Sequence, residues 1–261
     1  MFGFIGAGNI VTAILTGVSM SGEYDNAKIG VYDVNKGVVD KYSALGYRTY
    51  NSITELVGDC KVVVIAVTPQ MIRSIVEELK GASVIVSLVA GITIEWLSNN
   101  LGSTCTFFRC MPTLAAQEQL GSFALSHCHK ATDEQINKVT KFFSSCGVVE
   151  NVEEQLMSKV VALNGSAPGY FYYLSRIVVE EAVRMGFDEN TARRLFAQSM
   201  KGSAQTILNS TLSLEQLENK IKVHGGTTFA ALDAMQSEGL ENCVVQGLRA
   251  CVNRSEELGR L

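Results

Sequence analysis

No run of 18 apolar residues occurs in this 261-residue chain, which excludes a membrane-spanning helix on length alone. Basic clusters are few and the net charge is −4, so a nucleic-acid partner is not expected either. Residues 1–20 hold neither Lys nor Arg, and the apolar start is therefore not read as a secretory leader. Cysteines number seven, an odd count without CxxC spacing, which points to reduced thiols in a cytoplasmic protein and to no metal site. Cys60, Cys105, Cys110, Cys146, Cys243 and Cys251 lie in or beside apolar stretches and are expected as core filler. Cys128 stands in the polar triplet His127-Cys128-His129, which could supply metal ligands but, with no fourth ligand in view, reads as a surface loop. What remains is a composition 47% hydrophobic and 18% charged, enough for one large or two modest compact domains.

The most informative segment is Phe2 to Asn9, FGFIGAGN, an apolar strand running into a glycine turn with a helix-compatible stretch, Ile10 to Met20, behind it. Gly6 can take the positive φ of a tight turn. Gly8, lacking a side chain, lets the main chain approach a pyrophosphate at the positive end of the next helix, with Ala7, Asn9 and Ile10 completing the cradle. The third small residue of the fingerprint is replaced by Val11, so the helix is expected to stand off from the strand or tilt. A second strand, Lys28 to Tyr32, ends at Asp33, where an acid would accept ribose hydroxyls and repel a 2′-phosphate. Asn35 and Lys36 just beyond could instead welcome that phosphate, so both NAD(H) and NADP(H) stay open, with a slight lean towards tolerance of NADH.

The alternation continues. Val62 to Ala66 and Val84 to Leu88 are β-branched apolar runs typical of strands covered on both faces, and Met71 to Lys80 between them has helical spacing. Thr104 to Arg109, Gly121 to Ser126 and Gly147 to Asn151 add strands, and Asp133 to Ser145 a helix capped by its own Asp. This predicts an α/β, Rossmann-like, doubly wound and mostly parallel sheet over residues 1–152. Ala66-Val67-Thr68-Pro69 and Met111-Pro112 fall at carboxyl ends of strands, the ligand side of such a sheet.

From Glu153 the pattern becomes helical throughout: Glu153 to Leu163, Gly169 to Met185, Glu189 to Asn209, Ser213 to Lys222, Thr227 to Ser237 and Glu241 to Leu258. Residues 153–261 are read as an all-helical domain, apolar on more than one face and so forming a homodimer, or a ring of such dimers. Two loops in it carry chemistry. Gly165-Ser166-Ala167-Pro168-Gly169-Tyr170 permits close approach of a ligand or of a neighbouring helix. Val223-His224-Gly225-Gly226-Thr227-Thr228 precedes a helix and offers N–H groups and hydroxyls to a carboxylate, or else is an ordinary threonine cap.

Taken together, GFIGAGN, VTPQ, RCMP, GSAPGY, the Glu181-Ala182 pair with Gly186, and GGTT resemble the pyrroline-5-carboxylate reductase family nearly end to end. The resemblance implies NAD(P)H-dependent reduction of a small cyclic imine acid to proline. It implies Thr228 as the hydroxyl at the imine nitrogen and Gly225, Gly226 and Thr227 as the carboxylate anchor, with Ser166 at the substrate; His224, where the family has another residue, either attracts the carboxylate as an imidazolium or is a solvent-facing loop histidine. Three departures lie near the site. Thr68-Pro69 stands where the family usually has Lys-Pro, Thr113-Leu114-Ala115 where it has Asn-Thr-Pro, and Val223-His224 where it has Ser-Pro. Two alternatives stay open on these residues: a paralogue acting on another cyclic imine or keto acid, and a non-catalytic, cofactor-binding relative of the late-competence type.

Overall fold

The computed structural model describes residues 1–259. In chain order the elements are β1 (Phe2–Ile5), α1 (Asn9–Ser21), β2 (Ile29–Tyr32), α2 (Lys36–Ala44), β3 (Arg48–Thr49), α3 (Ile53–Asp59), β4 (Val62–Ile65), α4 (Pro69–Ile75) and β5 (Val84–Ser87). They continue with α5 (Ile94–Leu101), β6 (Thr106–Met111), β7 (Gly121–His127), α6 (Asp133–Ser144), β8 (Gly147–Asn151) and α7 (Met157–Leu163). Five helices follow: α8 (Ala167–Arg184), α9 (Glu189–Asn209), α10 (Leu214–Ile221), α11 (Thr227–Ser237) and α12 (Leu240–Gly259).

The strands form one sheet in the order β3-β2-β1-β4-β5-β6-β7-β8. All pairs are parallel except β6 with β7, where Phe108 faces His127 in antiparallel register. Successive residues of each strand enter opposite cores. Phe4, Val62, Val64, Val86 and Phe108 join Val11, Ile14, Leu15, Phe142 and Phe143 from α1 and α6. Ile5, Val63, Ile65, Ile85 and Phe107 join Leu56, Ile72 and Leu97 from α3, α4 and α5. That period of two, with apolar residues on both faces, is what the continuous β-branched runs encode. The doubly wound architecture is as expected from the sequence.

Val11 is fully buried within the first core. The close approach of α1 comes two turns later, at Gly17, where a Cβ would lie 2.0 Å from the Ala116 carbonyl oxygen and 2.7 Å from Cys146 Cβ. Two local expectations are corrected. Helix α6 is capped by Thr132, which with Gln135 makes a reciprocal capping box, so Asp133 is its first helical residue rather than its cap. Cys128 is buried at 7% exposure, its sulfur accepting the Phe107 N–H at 3.4 Å, whereas Cys243 is exposed and Cys251 half-buried. The triplet marks the end of β7, where the strand's period of two turns Cys128 inwards between two outward histidines.

Strands give way to helices at Val152 and Glu153, but packing divides the chain later. One compact unit comprises Met1–Gly165 together with the chain from Cys251 onward, and the second is Ser166–Ala250. The reason is α7, whose Met157 and Val160 pack on Ala124 of β7 with Met111 and Val152. Asn164 just after it donates to the carbonyls of Met111 (2.6 Å) and Ser122 (3.1 Å). In the second unit α8 buries none of its own residues, and Phe171, Tyr172 and Tyr173 stand exposed. No helix among the described residues is long and apolar enough to cross a membrane.

Candidate functional site

The sheet runs outward in both directions from β1 and β4: β2 and β3 extend one side, β5 and β6 the other. The carboxyl ends of β1 and β4 therefore flank the point where the winding reverses, where ligands bind in open α/β sheets. At that point Gly6 has φ +88°, and a Cβ on it would fall 2.7 Å from the Ala66 carbonyl oxygen, so glycine is required both for the turn and for the contact with the end of β4. Gly8 is exposed and is the N-cap of α1, with no side chain capping that helix. A Cβ there would meet no protein atom within 4 Å and would instead occupy the open space in front of the helix. The amides of Asn9, Ile10 and Val11 open α1 without partners inside the helix, a receptor for a diphosphate.

Asp33 follows β2 and is half-buried. Its Oδ2 accepts the Ala7 N–H at 2.8 Å and its Oδ1 the Asn35 N–H at 2.8 Å, so the carboxylate is clamped beside the glycine turn. Asn35 is committed as the N-cap of α2, its side chain accepting the Gly37 N–H at 3.0 Å. Lys36 is exposed. Val67 lies beside Gly6, and Thr68 and Pro69 open α4, which also lacks a side-chain cap. Met111 and Pro112 close β6, four strand spacings from β2, about 19 Å across the sheet. One edge thus carries Asp33, the Gly6–Ile10 cradle, Ala66–Pro69 and Met111–Pro112 in line, and these residues fit an extended dinucleotide. Thr113, in the family's Asn position, is buried and turned away, its hydroxyl accepting the Ser122 N–H at 2.9 Å.

In the second unit Gly225 has φ +76°, the Gly226 N–H bonds to the Val223 carbonyl at 2.9 Å, and Gly226 itself is the N-cap of α11. No side chain caps this helix, so the threonine-cap alternative does not hold: Thr227 and Thr228 are its first two helical residues, leaving their N–H groups without intrahelical acceptors. His224 is exposed and meets the Phe229 ring edge-on at 5.2 Å between centroids. Lys222 reaches the same ring, its Nζ 5.7 Å from the centroid, and also approaches Glu218 at 3.6 Å. His224, Gly225, Gly226, Thr227 and Thr228 are thus one turn, while Ser166 stands on another, as N-cap of α8 with Pro168 in its first turn.

Sequence reasoning left Glu154, Asn164, Lys222 and Phe229 without a role. Phe229, directly after GGTT, could have been noticed beside Lys222 and His224, since the turn between them brings such positions together. Glu154 had no local signal, because its partners Arg109 and Ile94 are 45 and 60 residues away.

A parallel sheet with an uncapped glycine turn at its switch point, followed by helices with exposed apolar faces, defines a dinucleotide-dependent oxidoreductase with a helical association domain. Residues 154–258 match the family model for pyrroline-5-carboxylate reductase dimerisation, and residues 1–91 that for NADP oxidoreductase, coenzyme F420-dependent. The Pseudomonas aeruginosa pyrroline-5-carboxylate reductase is 30% identical over 98% of this chain and 95% of its own. The solved structure of a pyrroline-5-carboxylate reductase from Coxiella burnetii aligns with TM-score 0.90 at 29% identity, over 98% of this chain and 97% of that one. The Plasmodium falciparum pyrroline carboxylate reductase, solved with NADP bound, shares the fold at TM-score 0.89 and 23% identity, over 99% and 97% of the two chains. The chain belongs to the pyrroline-5-carboxylate reductase family.

Proposed function

We propose that this protein reduces 1-pyrroline-5-carboxylate to proline with NAD(P)H. The observation that carries the reading is the bare start of α11, where Gly226 caps the helix without a side chain and leaves consecutive amides for a carboxylate. Reducing a C=N bond needs a hydride at carbon, a hydrogen-bonding group at nitrogen, and an anchor that holds the ring in place between them. The nicotinamide supplies the hydride when bound. Gly6 to Ile10 bind the diphosphate, Ala66 to Pro69 and Met111-Pro112 line the nicotinamide half, and Asp33, with Asn35 and Lys36 beyond it, meets the adenosine ribose. Gly225, Gly226 and Thr227 hold the substrate carboxylate, with His224 beside the turn in place of the family's serine and Ser166 as a further substrate contact.

Thr228 presents its hydroxyl to the imine nitrogen. An aliphatic alcohol is too weak an acid to protonate an imine unaided, so it accepts the N–H of a substrate that is already an iminium, or relays a proton from water. The unit built on the sheet serves the cofactor, and the helices of Ser166–Ala250 serve the substrate and self-association. The exposed aromatics of α8 favour a homodimer, with rings of dimers built on it, in the cytoplasm. The test is loss of reduced-nicotinamide absorbance with pyrroline-5-carboxylate, NADH and NADPH in parallel. Thr228→Ala is expected to lower kcat by about 10²- to 10³-fold, the usual cost of one hydrogen bond made to developing charge. Full turnover in that variant removes Thr228 from the chemistry, and cofactor binding with no turnover of any cyclic imine by the wild type points to a regulatory relative.

A further inference from the structure

Arg109 sits within β6 at 7% exposure, and its Nη1 donates to Glu154 Oε1 at 2.9 Å. The same oxygen accepts the N–H of Ile94, first residue of α5, at 3.0 Å. Glu154 Oε2 is also buried and meets no donor among the described residues. One carboxylate oxygen therefore joins two neighbouring strand exits, since β5 and β6 run side by side with Ser87 opposite Arg109. The β5 exit passes through Gly91 and Thr93 to Ile94, and the β6 exit is Met111-Pro112, two residues after Arg109.

Packing holds only one side of this place: Val89, Ile92 and Leu97 are buried in the second core. A cavity of about 390 Å³ opens here, lined among others by Gly91, Thr93, Arg109, Met111, Glu154 and Met157. Interiors hold their parts in register by close packing, and where a cavity interrupts it a directional contact must do so instead. A buried ion pair adds little net stability over apolar residues of equal volume, but such residues could not hold the Ile94 amide.

We propose that Glu154 is a positioning residue for hydride transfer, which through Arg109 and the Ile94 amide holds the β5 and β6 exits in the register that orients the nicotinamide. The inference rests on the reductase reading above. Hydride transfer is steep in distance and angle, so loosening these exits lowers the rate of transfer while the diphosphate cradle at β1 keeps cofactor affinity.

The experiment uses the full-length protein with Arg109→Met and Glu154→Leu combined, which removes both charges at similar volume and strands neither. Four readouts are taken: the NADH dissociation constant, the emission of bound NADH, hydrogen exchange at the Ile94 amide, and kcat with its isotope effect using NADH deuterated at the transferred position. Expected are a dissociation constant within about 3-fold of wild type, altered emission, and Ile94 exchange at least about 10-fold faster. With them come a kcat lower by about 10- to 100-fold and a larger isotope effect. A purely structural role would lower the active fraction without moving the isotope effect or the bound emission. Unchanged emission and Ile94 exchange, or a kcat within about 3-fold of wild type, overturn the proposal. Should the double variant fold poorly, Glu154→Gln, which keeps an acceptor for Ile94 but not the charge, is read by kcat, its isotope effect and bound emission alone, with a smaller loss expected and Ile94 exchange unchanged; unchanged kcat and emission in it overturn the proposal. If the wild type turns over no pyrroline-5-carboxylate while emission and exchange change as expected, the substrate reading fails and the positioning role stands.

Discussion

Asp33→Asn separates charge from shape at the end of the site proposed to meet the adenosine ribose. The carboxylate accepts main-chain N–H bonds from Ala7 and Asn35, each 2.8 Å long, and so cannot swing away from a 2′-phosphate beside it. At about 5 Å, with an effective dielectric constant of roughly 40 for a half-exposed group, a unit charge costs about 1.7 kcal/mol. A phosphate carries nearly two charges and salt screens part of the sum, leaving about 2 kcal/mol against NADPH, roughly 30-fold. The wild type is therefore expected to favour NADH by about 30-fold or more in kcat/KM. In Asp33→Asn one side-chain oxygen still accepts the Ala7 N–H, so the turn persists while the repulsion goes, and the NADH/NADPH ratio should fall by about 30-fold, mostly through KM for NADPH. Kinetics with both cofactors at fixed ionic strength measure this. A wild type that prefers NADPH, or a ratio that moves less than about 3-fold, refutes the reasoning and leaves Asp33 as a brace for the glycine turn.

Two further outcomes concern stability. Burial pushes the thiols of Cys105 and Cys146 up to about 12 and raises that of Cys110 as well. Folded values above the unfolded one mean stability that is complete below pH 9 and is lost as pH rises towards 12. At pH 10 each thiol costs about 1.4 kcal/mol, about 4 kcal/mol for the three, so the urea midpoint at pH 10 should fall well below that at pH 7, and equal midpoints would contradict it. Gly17→Ala gains about 1 kcal/mol of helix propensity, yet its Cβ would lie 2.0 Å from a main-chain oxygen, so a net loss of about 1–3 kcal/mol is expected from denaturant titration, and a gain would contradict the tight seat of α1.

The sheet was legible because its strands are uninterrupted apolar runs and its glycines stand where backbone conformation demands them. FGFI, VVVI and VIVS needed only their period and their flanks, and the bounds of α9 and α11 match the segments read from the sequence. The two-residue β3 was invisible, since Arg48–Thr49 has no pattern of its own and exists only by pairing with Gly30 and Val31. Asp33 was legible as a position, but its clamp was not, because the Ala7 amide that holds it lies 26 residues away. Glu154 was the same problem enlarged: a side chain whose meaning comes from two distant strands carries no local mark.

The three departures from the family pattern acquire a common physical sense from this. The amide groups that open α1 and α11 depend on glycines and on the absence of capping side chains, and these features are intact at Gly8 and Gly226. The altered positions are side-chain positions. Thr113 spends its hydroxyl on the start of β7, Thr68 opens α4 without capping it, and His224 leans on Phe229 beside Lys222. On the proposed reading, main-chain binding of diphosphate and carboxylate is preserved, while the side-chain environment proposed for the nicotinamide lacks the family's lysine and amide. Less side-chain support at that end makes its orientation depend more on the backbone of the β5 and β6 exits, and that backbone is held by Glu154 across the cavity. On this argument the chain is more sensitive at Glu154 than a relative that keeps both family side chains. Restoring them by Thr68→Lys and Thr113→Asn should therefore blunt the effect of removing the ion pair.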